Sequence, residues 1–250
     1  MTSSPPPPPR LISCSGASAH LELAQCAFLH KQFLVWNMTR YGCKADDPCS
    51  CKPFGGDDVI TCEGAAGKNT TVTKIQFGDF DEYNTLKGTL GEDIGALRDL
   101  VYLDLCCNEI AGTIPDSITT LTKLQVLALS DNYLTGPLPA TIGDLTALRS
   151  LSVEHNFLTG TVPASFSPMT KHLKALSLQC NHFAGVLPAI DWANITYDPT
   201  SPTGRVYDCY LSDDPKFPCS FPFSYNAWAC PLPTDAAQYC KATCEAARGP

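Results

Sequence analysis

This sequence of 250 residues is poor in long hydrophobic runs, in charged side chains and in histidine. No stretch approaches the roughly 20 consecutive apolar residues of a membrane helix, so no membrane-spanning segment is predicted. The 17 lysines and arginines are outnumbered by 25 aspartates and glutamates and form no basic stripe. Such a chain cannot neutralise many phosphates, and we expect no nucleic-acid partner.

The scarcity of catalytic patterns is equally informative. The five histidines match no zinc-protease spacing, and neither a nucleophile elbow nor a phosphate-binding loop is present. Asp131 and Glu154, one repeat apart, could in principle serve glycosidic chemistry, but no cleft that excludes water is predicted around them. The sequence therefore predicts a protein that is not an enzyme and that carries no cofactor.

What the chain does have is a repeated pattern. Leu97, Leu121 and Leu145 stand 24 residues apart, and each opens a segment that follows LxxLxxLxLxxNxLxGxLP. A fourth copy follows after one extra residue, and a looser copy precedes the others, with Ile75 and Phe77 in its strand positions. This period and this spacing of Leu and Asn are the leucine-rich-repeat signature.

Each position of the pattern has a structural role. The two Leu of LxLxxN point into a core, while the residues between them point out of a parallel sheet. The Asn amide can satisfy backbone groups where the chain turns, and Gly and Pro suit a segment that is not a regular helix. The predicted fold is an α/β leucine-rich-repeat solenoid with a parallel β-sheet on its concave face. We expect 3-10 or irregular structure on the convex side and disulfide-rich caps at both ends.

The pattern divides the chain into four parts. Residues 1–13 are predicted to be a disordered, proline-rich leader. Residues 14–71 are predicted to form a cysteine-rich N-terminal cap, with an amphipathic helix over Leu21–Trp36 and a strand near Val59–Cys62. Residues 72–191 hold about five repeats, and residues 192–250 hold a truncated last repeat, starting near Cys209 and Leu211, and a C-terminal cap.

Fourteen cysteines indicate an oxidising compartment. Zinc ligation is the competing explanation, but the paired CxxC units of zinc sites are missing and we expect no metal. The cysteines predicted to tie the two caps by disulfides are Cys14, Cys26, Cys43, Cys49, Cys51, Cys62, Cys209, Cys219, Cys230, Cys240 and Cys244.

Three further cysteines lie within the repeats. Cys107 and Cys180 hold the same repeat position about 14 Å apart, at roughly 4.8 Å per strand, which is too far for a disulfide. Cysteine parity groups Cys180 with the C-terminal cysteines. For Cys106 and Cys107 two alternatives remain: a strained vicinal disulfide, or residues that stay thiols or are tied to a cap loop.

Three N-x-[ST] sequons lie outside the regular repeats, at Asn37, Asn69 and Asn194, and predict glycosylation. Together with the cysteines they indicate a secreted, extracellular glycoprotein. The first ten residues, MTSSPPPPPR, contain no apolar signal-peptide core, so we expect the signal peptide to be missing from this sequence.

The cap and the repeats together resemble a known family. The segments involved are Trp36-Asn37, Asp47-Pro48-Cys49, Val59-Ile60-Thr61-Cys62 and each NxLxGxLP. They resemble plant-type extracellular leucine-rich-repeat proteins, namely polygalacturonase-inhibiting proteins and receptor-kinase ectodomains. The resemblance spans roughly Ala24–Pro188, although Lys52 replaces the usual Trp after Cys51. The cysteine-rich C-terminal part looks more like the caps of secreted protist relatives.

The outward side of the strands is the predicted recognition surface. Its short polar side chains and carboxylates suit a basic or hydroxyl-rich partner, and the resemblance implies an extracellular protein or peptide. The alternative function is that of a structural glycoprotein of a cell wall, coat or extracellular matrix, with wall polysaccharide as a partner. The candidate partner-binding residues are Gln76, Tyr102, Asp104, Asp131, Glu154, His155 and Gln179.

Overall fold

A computed structural model describes residues 20–21, 23–36, 49, 60–63, 69–77, 86–190, 195 and 226–228. Within these ranges the chain winds as a solenoid whose turns, called rungs here, each add one short strand to each of two sheets. The strands are β1 (His20–Leu21), β2 (Ile60–Glu63), β3 (Asn69–Gln76), β4 (Lys87–Thr89), β5 (Tyr102–Asp104), β6 (Glu109–Thr113), β7 (Val126–Ala128), β8 (Tyr133–Gly136), β9 (Ser150–Ser152), β10 (Phe157–Gly160), β11 (Ala175–Ser177), β12 (His182–Gly185) and β13 (Ala227–Trp228).

The first sheet is the one that the LxLxxN pattern predicts. Its order is β1-β3-β5-β7-β9-β11, and β2 pairs antiparallel with β3 at the edge. The parallel register aligns Gln76, Asp104, Ala128, Ser152 and Ser177 in one row across the sheet. The alternating leucines beneath this row are buried in a single hydrophobic core along the rungs.

The second sheet was not predicted. Its order is β13-β12-β10-β8-β6-β4, and its strands cover the NxLxG part of each repeat. The pattern glycines at this sheet have left-handed φ angles, for example 82° at Gly112 and 75° at Gly136, which a side chain rarely tolerates. The expected irregular part of each repeat therefore contains a second parallel strand.

Short helices form the convex side, as predicted. The 3-10 helices span Glu92–Ala96, Asp116–Thr120 and Ile142–Asp144, and the helix α2 (Phe166–Met169) takes their place in the next rung. The first Leu of a repeat closes each 3-10 turn: the N–H of Leu121, for example, donates to the carbonyl of Ile118. The 24-residue period thus returns the chain to the same point of every turn.

The helix α1 (Leu23–Val35) covers the first rung, within two residues of its predicted bounds. Trp36, just beyond it, is buried and donates from Nε1 to the carbonyl of Thr89 at 3.1 Å. Gln25 Oε1 accepts from the N–H of Val72 at 3.1 Å, which satisfies a backbone group of β3. This helix therefore closes the exposed end of the solenoid core.

The described cap cysteines are all oxidised. Cys49 is bonded to Cys62, and Cys26 is also in a disulfide, as is Cys180. Asn69 begins β3. The predicted cap and glycosylation residues that lie outside the described residues are Cys14, Cys43, Cys51, Cys209, Cys219, Cys230, Cys240, Cys244, Asn37 and Asn194.

A ladder of buried asparagines links the rungs. Asn156 Oδ1 accepts from the N–H of Leu134 at 2.9 Å. Its Nδ2 donates to the carbonyls of Leu129 at 2.9 Å, Val153 at 3.2 Å and Glu154 at 3.1 Å. Asn108, Asn132 and Asn181 make the equivalent bonds in their own rungs. One side chain per rung thus satisfies backbone groups of two rungs, as the sequence predicts.

Asn226 continues this ladder. Its Nδ2 donates to the carbonyl of Leu178 at 2.8 Å, and its Oδ1 accepts from the N–H of Phe183 at 2.9 Å. The predicted last rung at Cys209 and Leu211 lies outside the described residues, and Asn226 occupies the ladder position next to Asn181. The missed signal is FPFSYNAWACPLP over 221–233, which keeps the repeat frame with Phe and Trp for Leu and Cys for Gly.

We expect Asn156→Ala to destabilise the fold by about 3 kcal/mol, because the substitution leaves buried carbonyls and the N–H of Leu134 without hydrogen-bond partners. Urea denaturation followed by circular dichroism measures the change. Thr159→Ala, an exposed substitution three residues further along, is the matched control and should shift stability little. Equal midpoints for the two variants would contradict a structural role for the ladder.

Candidate functional site

The strand face is defined here as the outward side of β3, β5, β7, β9 and β11, with the two or three residues that follow each strand. The sheet register places Gln76 beside Asp104 on this face. Beyond the strands, the N–H of Asp131 donates to the carbonyl of Glu154 at 3.0 Å, and the N–H of His155 donates to that of Gln179 at 3.2 Å. The structure therefore brings the predicted partner-binding residues onto one surface.

A left-handed backbone occurs at the residue before each of the four ladder asparagines Asn108, Asn132, Asn156 and Asn181. Its φ angle is 61° at Cys107, 51° at Asp131, 54° at His155 and 54° at Cys180. This conformation is unusual for residues other than glycine, and the ladder bonds on either side hold it in place. It sets four side chains in a row, one per rung, along the edge of the strand face.

Asp131 and His155 form a pair within this row. His155 Nδ1 lies 3.2 Å from Asp131 Oδ1, and the two side chains are 20% and 29% exposed respectively. The pair is thus partly desolvated yet reachable from solvent. Such a pair presents a hydrogen-bond donor and an acceptor at a fixed spacing, which suits recognition of a polar partner.

Glu154 lies beside this pair but is 3% exposed. Ser152 Oγ donates to Glu154 Oε2 at 2.5 Å. Burial raises the pKa of the Glu154 carboxyl from 4.5 to about 7, against the opposing effect of the Ser152 hydrogen bond. The nearby Asp131 carboxylate also raises this pKa, so the Glu154 carboxyl titrates near neutral pH.

Asp104 is buried as well, at 2% exposure. Its Oδ2 accepts from the Tyr102 hydroxyl at 3.2 Å, and its Oδ1 accepts from the N–H of Cys106 at 3.1 Å. The Tyr102 ring in turn lies 5.2 Å below Lys74 Nζ in a cation–π contact. Asp104 therefore stabilises the turn after β5 and is not available as a surface charge.

The expectation of an open acidic face is wrong for two residues. Asp104 and Glu154 point outward by register, but local bonds to neighbours two residues away draw both carboxyl groups into the surface. The remaining predicted residues are partly exposed, namely Gln76, Tyr102, Asp131, His155 and Gln179. Their roles in binding stay predictions.

Several polar atoms on the strand face are buried without a hydrogen-bond partner among the described residues: Ser130 Oγ, Ser177 Oγ and Gln179 Oε1. Leaving a buried polar group without a partner is costly, and such groups normally bond to protein groups or to ordered water. Periodicity alone could not reveal them, because it indicates the direction of a side chain and not its bonds. They extend the candidate surface from the Asp131 and His155 pair toward β11.

A second surface was also missed by the sequence analysis. Tyr133, Phe157 and His182 follow consecutive ladder asparagines on the second sheet. Their rings stack at centroid distances of 6.3 Å for Tyr133 and Phe157 and 6.1 Å for Phe157 and His182. The three residues share one repeat position in the sequence. Because the second sheet was not predicted, they could not be assigned to a common surface.

Within the described part of the chain, no helix has the length and apolar character needed to cross a membrane. The same residues contain no cluster of three or more His, Cys, Asp or Glu side chains that could hold a metal ion.

Comparison with known proteins agrees with the repeat frame. Residues 98–158 match the profile of the family described as Leucine rich repeat. These rungs are leucine-rich repeats. No curated protein matches the chain.

Solved structures that resemble this solenoid include plant receptor ectodomains. The leucine-rich-repeat ectodomain of the Arabidopsis thaliana receptor kinase SOBIR1 is 24% identical, with a TM-score of 0.55, over 68% of this chain and 86% of that chain. A chain of the BIR3–SERK2 complex from Arabidopsis thaliana is 26% identical, with a TM-score of 0.55, over 70% and 92%. The resemblance to plant-type extracellular leucine-rich-repeat proteins is thus confirmed.

A longer ectodomain shares the fold over a larger part of this chain. The plant membrane receptor kinase GASSHO1/SCHENGEN3 from Arabidopsis thaliana, in complex with CASPARIAN STRIP INTEGRITY FACTOR 2, is 23% identical with a TM-score of 0.60. That match covers 84% of this chain but 22% of the receptor chain. Our chain thus corresponds to a small part of such a long leucine-rich-repeat ectodomain.

Glu154 gives the strand face a defined pH dependence. Its pKa is raised on folding, so its contribution to stability is fully present below pH 4.5 and is lost as the pH rises through about 7. We expect Glu154→Gln, which keeps an acceptor for Ser152, to remove this loss and stabilise the protein above pH 8 by at most about 3 kcal/mol. Thermal unfolding between pH 5 and pH 9 measures the difference. Glu92→Gln, at an exposed position, is the control. Parallel pH profiles for wild type and Glu154→Gln would show that Glu154 ionises normally.

Proposed function

We propose that this chain is a secreted leucine-rich-repeat interaction module that binds an extracellular protein or peptide through its strand face. The observation that carries this proposal is the partly exposed pair of Asp131 and His155 beside buried polar atoms that have no hydrogen-bond partner among the described residues. In this proposal the protein has no catalytic activity and needs no cofactor.

The chemistry of the surface suits a polar, extended segment of a partner. The Asp131 carboxylate can accept hydrogen bonds from a basic side chain or a backbone N–H. Gln179 Oε1 and the Ser177 hydroxyl, which lack partners among the described residues, can bond to the same segment. Because Glu154 is half protonated near pH 7, the face carries less negative charge than its composition indicates. A mildly basic or neutral peptide therefore fits better than a strongly cationic one.

The comparisons support a protein partner. One match, at 26% identity, is to a chain of a complex of BIR3 with SERK2. It covers 70% of this chain and 92% of that chain. The disulfides at Cys26, Cys49, Cys62 and Cys180 support secretion, since such bonds persist in oxidising compartments. The predicted glycosylation of Asn69 belongs to the same proposal.

The test is a double substitution, Asp131→Asn with His155→Asn. Asparagine tolerates the left-handed backbone of both positions, so the change removes charge without straining the chain. The matched control is Asp116→Asn with His172→Asn, which makes the same replacements at exposed positions of the convex side. Proteins captured from the extracellular fraction of the source organism are identified by mass spectrometry, and their affinities are measured by calorimetry.

We expect the strand-face variant to bind its partner at least about tenfold more weakly, which corresponds to about 1.4 kcal/mol. The control should bind like the wild type. Equal affinities for all three chains would show that the strand face does not take part in partner recognition. Equal retention of all three on insoluble wall polysaccharide, without a discrete protein partner, would instead favour the structural-glycoprotein alternative.

A further inference from the structure

Two adjacent cysteines on the strand face differ in oxidation state from the other described cysteines. Cys106 and Cys107 follow β5 and are both thiols. Cys26, Cys49, Cys62 and Cys180 are disulfide-bonded. Cys180 has the same repeat position and the same left-handed backbone as Cys107. The thiol state of the adjacent pair is therefore not explained by repeat position.

The two thiols are in contact and have different environments. Cys106 is 2% exposed and its thiol is hydrogen-bonded to that of Cys107, which is partly exposed. The hydrogen bond with Cys107, burial and the neighbouring Asp104 all raise the pKa of the Cys106 thiol. Cys107 is thus the residue that an external reagent meets first, and Cys106 lies behind it.

The backbone explains why the pair has not closed into a disulfide. Adjacent Cα atoms across a trans peptide are about 3.8 Å apart, whereas disulfides usually join Cα atoms about 4.4–6.8 Å apart. A disulfide between neighbours therefore requires the peptide between them to twist. That peptide is held by the rungs: the N–H of Cys107 donates to the carbonyl of Ser130 at 3.0 Å, and Asn108 Nδ2 donates to the carbonyl of Cys106 at 2.8 Å. The ladder opposes closure without separating the sulfurs.

We propose that Cys106 and Cys107 form a modification site at which a low-molecular-weight disulfide reversibly oxidises the pair to a vicinal disulfide. The Cys107 thiolate attacks one sulfur of the reagent, forms a mixed disulfide and releases one thiolate. The Cys106 sulfur then attacks the Cys107 sulfur, forms the internal bond and releases the second thiolate. The two protons of the protein thiols end on the two released molecules, so two protein thiols are oxidised and one disulfide reagent is reduced to two thiols.

This site lies directly before Asn108, the first of the described ladder asparagines, so its oxidation has a structural consequence. Twisting the peptide weakens the bonds to Ser130 and Asn108, which are neighbours of Asp131 and of the second sheet. A strained disulfide is also easily reduced, so the site responds to redox conditions that leave the bond between Cys49 and Cys62 unchanged.

The purified full chain is equilibrated in buffers that range from reduced to oxidised glutathione, quenched with acid and alkylated with N-ethylmaleimide after unfolding. Mass spectrometry of the peptide that carries both cysteines gives the result. We expect this peptide to change from two alkylated thiols to none, with the loss of two hydrogens and no attached glutathione. Renewed reduction should restore both thiols while Cys49 and Cys62 stay bonded.

Two variants separate the steps. In Cys106→Ser the mixed disulfide has no second thiol to resolve it, so glutathione should accumulate on Cys107. In Cys107→Ser the buried Cys106 should remain unmodified in the folded protein. Thermal unfolding checks that both variants fold.

Phenylarsine oxide tests the proposal even if the vicinal disulfide forms slowly. It bridges two neighbouring thiols and releases one water, so it reports whether both sulfurs can reach one atom. The proposal predicts one arsenical per wild-type chain and none on either variant. Failure of the wild type to bind it, or persistence of two thiols or of a mixed disulfide under the most oxidising buffer, would overturn the proposal.

Discussion

The asparagine ladder is the interaction on which the rest of the structure depends. Each ladder side chain bonds to backbone groups of its own rung and of the rung before it, as Asn132 does with Leu105, Leu129 and Ile110. The buried leucines supply the hydrophobic free energy, but hydrophobic burial is not directional. The ladder supplies the direction, because its bonds exist only when consecutive rungs are in register.

The same bonds determine where recognition can take place. Cys107, Asp131 and His155, each directly before a ladder asparagine, share one left-handed geometry, because the backbone around them and not their own side chains fixes it. Side chains can therefore change at this position while the scaffold stays the same. A solenoid separates folding from binding in this way, and its fold alone does not identify a partner.

The period and the repeat frame made the core, the first sheet and its register predictable from the sequence. The burial of Asp104 and Glu154 was not predictable, because periodicity indicates which way a side chain points and not whether a neighbouring hydroxyl or N–H draws it inward. The second sheet was missed because four-residue strands show too little alternation. The rung at Asn226 was missed because Phe, Trp and Cys replace the usual Leu and Gly.

The spacing of the last two ladder asparagines indicates how such a scaffold can grow. Asn181 and Asn226 are spatial neighbours although 45 residues separate them, against 24 between Asn132 and Asn156. Closing a longer loop between two fixed points costs little, about 0.6 kcal/mol for each doubling of its length. New sequence can therefore enter between two rungs while the rungs stay stacked, and a ladder side chain serves as the fixed point at which the inserted chain rejoins the solenoid.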